Sequence, residues 1–239
     1  MTFRNTAAFV FLLALSTPGL HAAEYDAFYG VTAEALKPFA RDIGGLLGSG
    51  SVQTARPLGF SGFDVGVRAA AQLDPSMGNS LLKKKSAFGL GLVQAEIGMP
   101  YRIDGVVRGG SYEGLTVAGG GLRYGLWNVS DEKYKVNAML VVMSNMATNR
   151  YFYAVHFNTS LVCSVNVPGI SPFVGVGFDS TRFEVQTVSD PSISGKSVSV
   201  FEPRYSLGLR AKLNLAYLSG GVTYTHDRTL LSASTGFRF

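Results

Sequence analysis

Residues 229–239 read TLLSASTGFRF. Taken two at a time, Leu231, Ala233, Thr235, Phe237 and Phe239 fall on one face of an extended chain and Ser232, Ser234, Gly236 and Arg238 on the other. A period of two is that of a β-strand. One face is apolar and ends on aromatic rings, while the other is small and polar. An edge strand of a soluble sheet and a strand of a membrane barrel share this pattern when read in isolation, so the rest of the chain has to decide between them.

The opposite terminus decides. Residues 1–22 have the layout of a secretory signal: Arg4 supplies the positive start, residues 7–15 (AAFVFLLAL) the apolar core, Pro18 and Gly19 the break, and Ala22 or Ala23 the small residue at the cleavage point. No cysteine lies near that point, which argues against a lipid anchor. In the remainder, the longest unbroken apolar run is residues 138–143, far short of the roughly 20 residues a membrane helix needs. The expectation is export without a helical anchor, to the periplasm, the extracellular space or the outer membrane.

With export expected, the terminal strand resembles the C-terminal signature by which bacterial outer-membrane β-barrel proteins are recognised for assembly. Phe237, Phe239 and Ser232 fit that pattern, whereas Ser234 stands where the family usually has glycine. The resemblance implies an all-β fold, a transmembrane antiparallel up-and-down barrel in the cell outer membrane, with Phe237 and Phe239 as the assembly signal. Outer-membrane lipid and the barrel-assembly machinery are the partners it implies. The whole mature chain resembles porin-like small barrels with a short N-terminal plug, which implies passive passage of small solutes or a role in envelope integrity.

Composition agrees with a wall facing lipid. The chain is 46% apolar and only 15% charged, with 29 glycines, and charged residues near a quarter are usual in soluble domains. A barrel accounts for the deficit because one face of every strand carries no charge. The formal net charge of +5 falls to +4 without Arg4. That excess is too small and too dispersed for nucleic-acid binding, and the cluster Lys83, Lys84, Lys85 reads as a solvated loop near anionic headgroups. Cys163 is the single cysteine, on an apolar strand face, so no internal disulfide is expected.

Three regions follow: a signal at 1–22, a plug or helix segment at 23–59 and the barrel at 60–239. Within 33–50, Leu36, Phe39, Ala40, Ile43, Leu46 and Leu47 recur at helical spacing, and Pro38 suits a first-turn position. This predicts a short amphipathic helix in or under the lumen at the periplasmic end, with Phe39, Ile43 and Leu46 as plug residues. The strands are expected at 60–73, 87–98, 101–110, 114–126, 133–146, 151–167, 171–187, 200–212, 215–225 and 229–239. An eight-strand count stays open if 87–110 is one region without a hairpin. Phe88, Leu90 and Leu92 share a phase with Gln94 and Glu96, which suggests a bulge or a glycine-rich lumenal half.

The polar faces then define the lumen. Arg68, Asp104, Arg108, Arg123, Arg204, Arg210 and Arg238 are the expected lining, joined by Asp64, Glu96, Lys135, Asp179 and Lys212. Such an interior is cationic and favours small anionic solutes if it conducts. The competing reading is a closed barrel filled by paired charges, its work done by structure, adhesion or external loops. Catalysis finds little support. His156 and Ser160 are too far apart along one strand to bond, His226 beside Asp227 is a pair that arises often by chance, and too few histidines and cysteines remain for a transition-metal site. No nucleotide or dinucleotide fingerprint appears, so no cofactor is expected and the chain reads as a non-enzyme, although an outer-membrane lipid-modifying enzyme stays as a remote alternative. Nothing in the sequence sets the oligomeric state.

Overall fold

The computed structural model describes residues 25–82, 87–112, 114–128 and 132–239. The segment 1–22 and the cluster Lys83, Lys84, Lys85 lie outside the described residues. Ten strands, β1 (Phe63–Gln72), β2 (Phe88–Gly98), β3 (Ile103–Tyr112), β4 (Leu115–Gly125), β5 (Val136–Thr148), β6 (Phe152–Val165), β7 (Ile170–Val185), β8 (Ser197–Leu213), β9 (Ala216–Thr225) and β10 (Arg228–Arg238), close into one antiparallel barrel. Every strand pairs with its sequence neighbours, and β10 returns to β1 from Asp64↔Arg238 to Gln72↔Leu230. Phe63 and Phe239 finish the seam by exchanging backbone bonds of 2.8 and 3.0 Å.

The eight-strand alternative does not hold. β2 and β3 are separate strands, joined by a 3-10 turn at Pro100–Arg102 in which Tyr101 and Arg102 take left-handed φ of 62° and 65°. The suggested bulge is also absent: β1 and β2 pair without interruption from Phe63↔Ile97 to Gln72↔Phe88. Phe88, Leu90 and Leu92 face inward together with Gln94 and Glu96, all of them buried. The lumen itself changes from apolar to polar along its axis, and the strand's inner face follows it.

Alternation separates the two faces of the wall. Along β7 the outer face reads Ile170, Pro172, Val174, Val176, Phe178 and Ser180 before the first charges, Arg182 and Glu184. Val107 is 64% exposed, Leu207 61% and Leu218 51%, a continuous apolar exterior that water would not tolerate on a soluble monomer. Exposed rings border it: Phe60, Tyr101, Trp127, Tyr134 and Phe239 at the end bearing the last residue, and Tyr112, Phe201 and Tyr224 toward the other. Rings at both edges of an apolar band are the girdles of a barrel seated in a bilayer. Among the described residues, no helix is long and apolar enough to cross a membrane.

The helix α1 (Ala33–Gly48) lies inside this wall. Its first turn presents Ala33, Glu34 and Lys37 to solvent, whereas residues 42–48 are buried on every side. Pro38 sits within the helix and not in its first turn. The amide it lacks would have bonded to the carbonyl of Glu34, a solvent-exposed residue, so the fault falls where the helix borders solvent and not in its buried part. The orientation also departs from expectation. Tyr25 and Phe28, just before α1, pack on Phe152 at the start of β6 and on Phe183 near the end of β7. That is the far end of the barrel from Phe239. The plug starts there because that end of the lumen is lined by aromatic and aliphatic side chains, whereas the near end is lined by arginines.

Candidate functional site: the occupied lumen

Three layers fill the barrel. The far layer is aromatic: Phe39 of α1 lies 5.3 Å from Phe152 and 5.5 Å from Phe183 between ring centroids, and Phe28 lies 5.0 Å from Phe39. Ile43 and Leu46, the other expected plug residues, are fully buried behind it. Full burial of such side chains contributes about 1.5–3 kcal/mol each. Beside this layer Asp42 is buried on α1 and accepts from Gln72 Nε2 at 2.6 Å, Ser76 Oγ at 2.6 Å, Asn79 Nδ2 at 2.6 Å and the Ser76 amide at 2.9 Å, with His226 Nε2 at 3.4 Å. Burial alone would raise this carboxyl, but the donors from His226, Ser76 and Asn79 outweigh it and hold it below the ordinary carboxylate range. One helix side chain thereby fixes both the β1–β2 loop and the β9–β10 turn.

The middle layer meets the C-terminal end of α1, where carbonyls have no partner within the helix. Arg204 Nη2 donates to Gly45 O at 2.8 Å, Arg108 Nη1 donates to Ser49 O at 3.0 Å, and Arg108 Nη2 donates to Leu47 O. Asn145 Nδ2 donates to Leu47 O at 3.2 Å and its oxygen accepts from Arg108 Nε at 2.6 Å. Cations at this end also suit the negative pole of the helix. The Arg204 charge is matched by Asp179, at 2.5 Å from Nη2, and Asp179 accepts further from Asn158. Glycines allow the approach: a Cβ on Gly44 would lie 2.2 Å from Thr181 Oγ1, one on Gly45 2.5 Å from His226 Cε1 and one on Gly48 2.4 Å from Arg204 Nη2.

The third layer is a charge network. Arg123 Nη2 contacts Glu96 at 2.6 Å and Asp104 at 3.3 Å, Arg68 reaches Asp64 at 3.4 Å and Glu96 at 3.5 Å, and Arg210 reaches Asp64 at 3.4 Å. Tyr217 donates to Asp64 at 2.7 Å and lies under the Arg210 guanidinium. Residues 51–62 thread past this network to reach β1, with the Ala55 amide on Ser164 at 2.9 Å and the Leu58 amide on Asp104 at 3.0 Å. Arg238 donates to the carbonyls of Arg56 and Pro57.

All seven arginine and aspartate residues read from the sequence as lumen-lining therefore point inward, but around a plug and not around an open bore. Lys135 departs from the lumen assignment, since it lies before β5 at the rim and contacts Glu132. Sequence reasoning missed Asp42 as an anchor, and it placed 51–58 in the plug segment without assigning any of its contacts. The run of Gly44, Gly45 and Gly48 was the available signal, because a helix carrying small residues on several sides is built to be surrounded. His156 is fully buried, with Nδ1 on Thr181 Oγ1 at 2.9 Å, and Ser160 donates to Asn158 at 3.2 Å, so neither serves the other.

A closed ten-stranded antiparallel barrel with an apolar outer wall and a resident N-terminal helix defines a β-barrel of the outer-membrane type. No family model and no curated protein matches the chain. Among solved structures it is similar to the N-terminal β-barrel domain of Pseudomonas aeruginosa OprF, at 9% identity over 76% of this chain and 99% of that one, with a TM-score of 0.41. The transport unit of the autotransporter AIDA-I from Escherichia coli matches at 10% identity, 87% and 99% coverage and a TM-score of 0.40. Ail, the attachment invasion locus protein of Yersinia pestis, matches at 11% identity, 75% and 99% coverage and 0.34.

Proposed function

We propose that this chain is an outer-membrane barrel that rests closed, its lumen held shut by its own N-terminal segment, and that it serves the envelope as a structural or surface-exposed barrel. The observation that carries this is the set of bonds from Arg108, Arg204 and Asn145 to the terminal carbonyls of α1. A helix so anchored occupies the path a solute would take. Outer-membrane lipid and the barrel-assembly machinery are the partners of this reading. It is also a non-catalytic reading, supported by the enclosure of His156, whose Nδ1 meets Thr181, and by the bond from Ser160 to Asn158.

The arginine-rich wall supports a second reading, in which the same protein conducts small anions in a porin-like manner once α1 withdraws. Planar-bilayer recordings separate the two. Refolded full-length protein is expected to stay silent, and protein lacking residues 24–50 to conduct with anion preference. Steady conductance by the full-length form would overturn the closed reading, and silence in both folded forms would remove the porin-like one.

A further inference from the structure

We infer that the β8–β10 side of the lumen is a water-filled half-channel, entered beside Phe239, gated by the Phe173 ring and ending at Arg204, the guanidinium that anchors the plug. Two cavities on that side define it. The outer one, of ≈ 350 Å³, lies at the rim between Thr54 of the threaded segment and Arg210, Tyr217 and Phe239 of the wall. The inner one, of ≈ 10 Å³, lies deeper, between residues 48–52 and the side chains of Arg204, Ser206, Thr223 and Ser232. That is room for about one water. Ser206 and Thr223 share a bond of 3.1 Å, which leaves each hydroxyl further capacity to hold it.

The two sides of the lumen are built differently. On the β5–β6 side the threaded segment is packed dry: Val52 and Ala55 join an apolar cluster with Met139, Val141, Met143 and Val162, and the Ala55 amide is held by Ser164 at 2.9 Å. The segment is thereby drawn to that wall, and polar space remains against the other. Cavities lined by polar groups hold water, whereas apolar ones stay dry. At the head of the path Thr225 stands across the β8–β9 ladder from Arg204 and is 1% exposed, and its hydroxyl has no partner among the described residues. A buried hydroxyl so placed is a seat for water.

The Phe173 ring separates the two cavities. A Cβ on Gly208 would lie 2.4 Å from Phe173 Cζ and one on Gly221 3.4 Å from it, so the ring reaches out of β7 to lie over both glycines. On the inner face of β8, Gly208 falls between Ser206 of the inner cavity and Arg210 of the outer one. A change of Phe173 rotamer is the smallest motion that joins them. Water and solutes of about its size then reach Arg204 from the Phe239 side without any movement of α1.

The test is thiol accessibility in refolded full-length protein carrying Cys163→Ser, with methyl methanethiosulfonate as the small uncharged probe and intact mass as the readout. Ser206→Cys and Ser232→Cys place thiols at the inner cavity, and Val141→Cys places one on an inward position of the dry side that is 1% exposed. Only protein with the heat-modifiable mobility of the folded barrel is scored. Ser206→Cys and Ser232→Cys should react about tenfold or more faster than Val141→Cys. Phe173→Leu, which keeps an apolar side chain and shortens the gate, should speed both of them severalfold and leave Val141→Cys unchanged. Thiols at 206 and 232 as slow as the one at 141, with and without Phe173→Leu, overturn the half-channel. Rates at 206 and 232 that are indifferent to Phe173→Leu overturn the gate. The outcome does not depend on whether the lumen conducts.

Discussion

Arg204 on the wall and Gly45 on the plug are joined by a 2.8 Å hydrogen bond, and the same guanidinium holds Asp179 through Nε at 2.7 Å. The wall charge is thus neutralised by the wall while the same fork also reaches the helix end. Plug and barrel therefore share one buried polar network, and loosening either should be felt by both.

Arg204→Ala should lower stability by about 3–5 kcal/mol, because it strands Asp179 in the interior and takes from the Gly45 carbonyl one of its two side-chain donors, the other being Ser49 Oγ. Arg204→Lys keeps the charge but not the fork and should fall between the two. Urea titration in lipid, read by heat-modifiable mobility, measures both. A variant as stable as the parent would show that this guanidinium is not what holds the helix.

Gly44→Ala should cost about 1–3 kcal/mol, since its new methyl would sit 2.2 Å from Thr181 Oγ1. Combined with Thr181→Ala, which removes that oxygen, the loss should be smaller than the sum of the two single losses. The coupling energy from the four-variant cycle is the readout, and strict additivity would place the helix elsewhere.

The wall was legible because alternation is a property of single strands: Tyr205, Leu207, Leu209 and Ala211 oppose Arg204, Ser206, Gly208, Arg210 and Lys212 by residue type alone. What fills the lumen was less legible, for two physical reasons. The aromatic half of the interior erases alternation, so Phe88, Leu90 and Leu92 look the same whether they face lipid or α1. Residues 51–62 carry no period at all, and their place in the lumen is fixed by single bonds such as Ala55 to Ser164, which only the closed barrel brings together. The direction of α1 was equally hidden, since helical spacing identifies a buried face without saying from which end the helix enters.

Arginine at Leu209, which is 55% exposed on the outer face, should cost roughly 2–4 kcal/mol at a site near the bilayer midplane. Arginine at the neighbouring Ser206, which faces inward and donates to or accepts from Thr223 at 3.1 Å, should cost less. Refolding titrations in lipid vesicles compare them, and the reverse order would invert the assignment of faces.

Removing Phe239 deletes both backbone bonds that complete the β1–β10 seam with Phe63. Membrane-integrated yield should drop severely, while substitutions at Ser192 in the exposed loop between β7 and β8 should be neutral. Quantifying the heat-modifiable band in membrane fractions tests the contrast, and equal yields would deny the terminal strand its part in assembly.

The orientation of the plug gives the last prediction. Tyr29 is 50% exposed at the far end, and its carbonyl accepts from the Ser189 amide of the β7–β8 loop at 2.8 Å, so the start of the described chain and that loop share one side of the barrel. Asn214, in the β8–β9 turn, lies on the other. In a Cys163→Ser background, a membrane-impermeant maleimide applied to intact cells should label Tyr29→Cys and Ser192→Cys alike and leave Asn214→Cys untouched until the envelope is permeabilised. Labelling of Asn214→Cys together with Tyr29→Cys before permeabilisation would mean that α1 enters from the end bearing Phe239. Labelling of Asn214→Cys alone would keep the plug direction and invert the barrel in the membrane, so the three cysteines distinguish the direction of the helix from the direction of the wall.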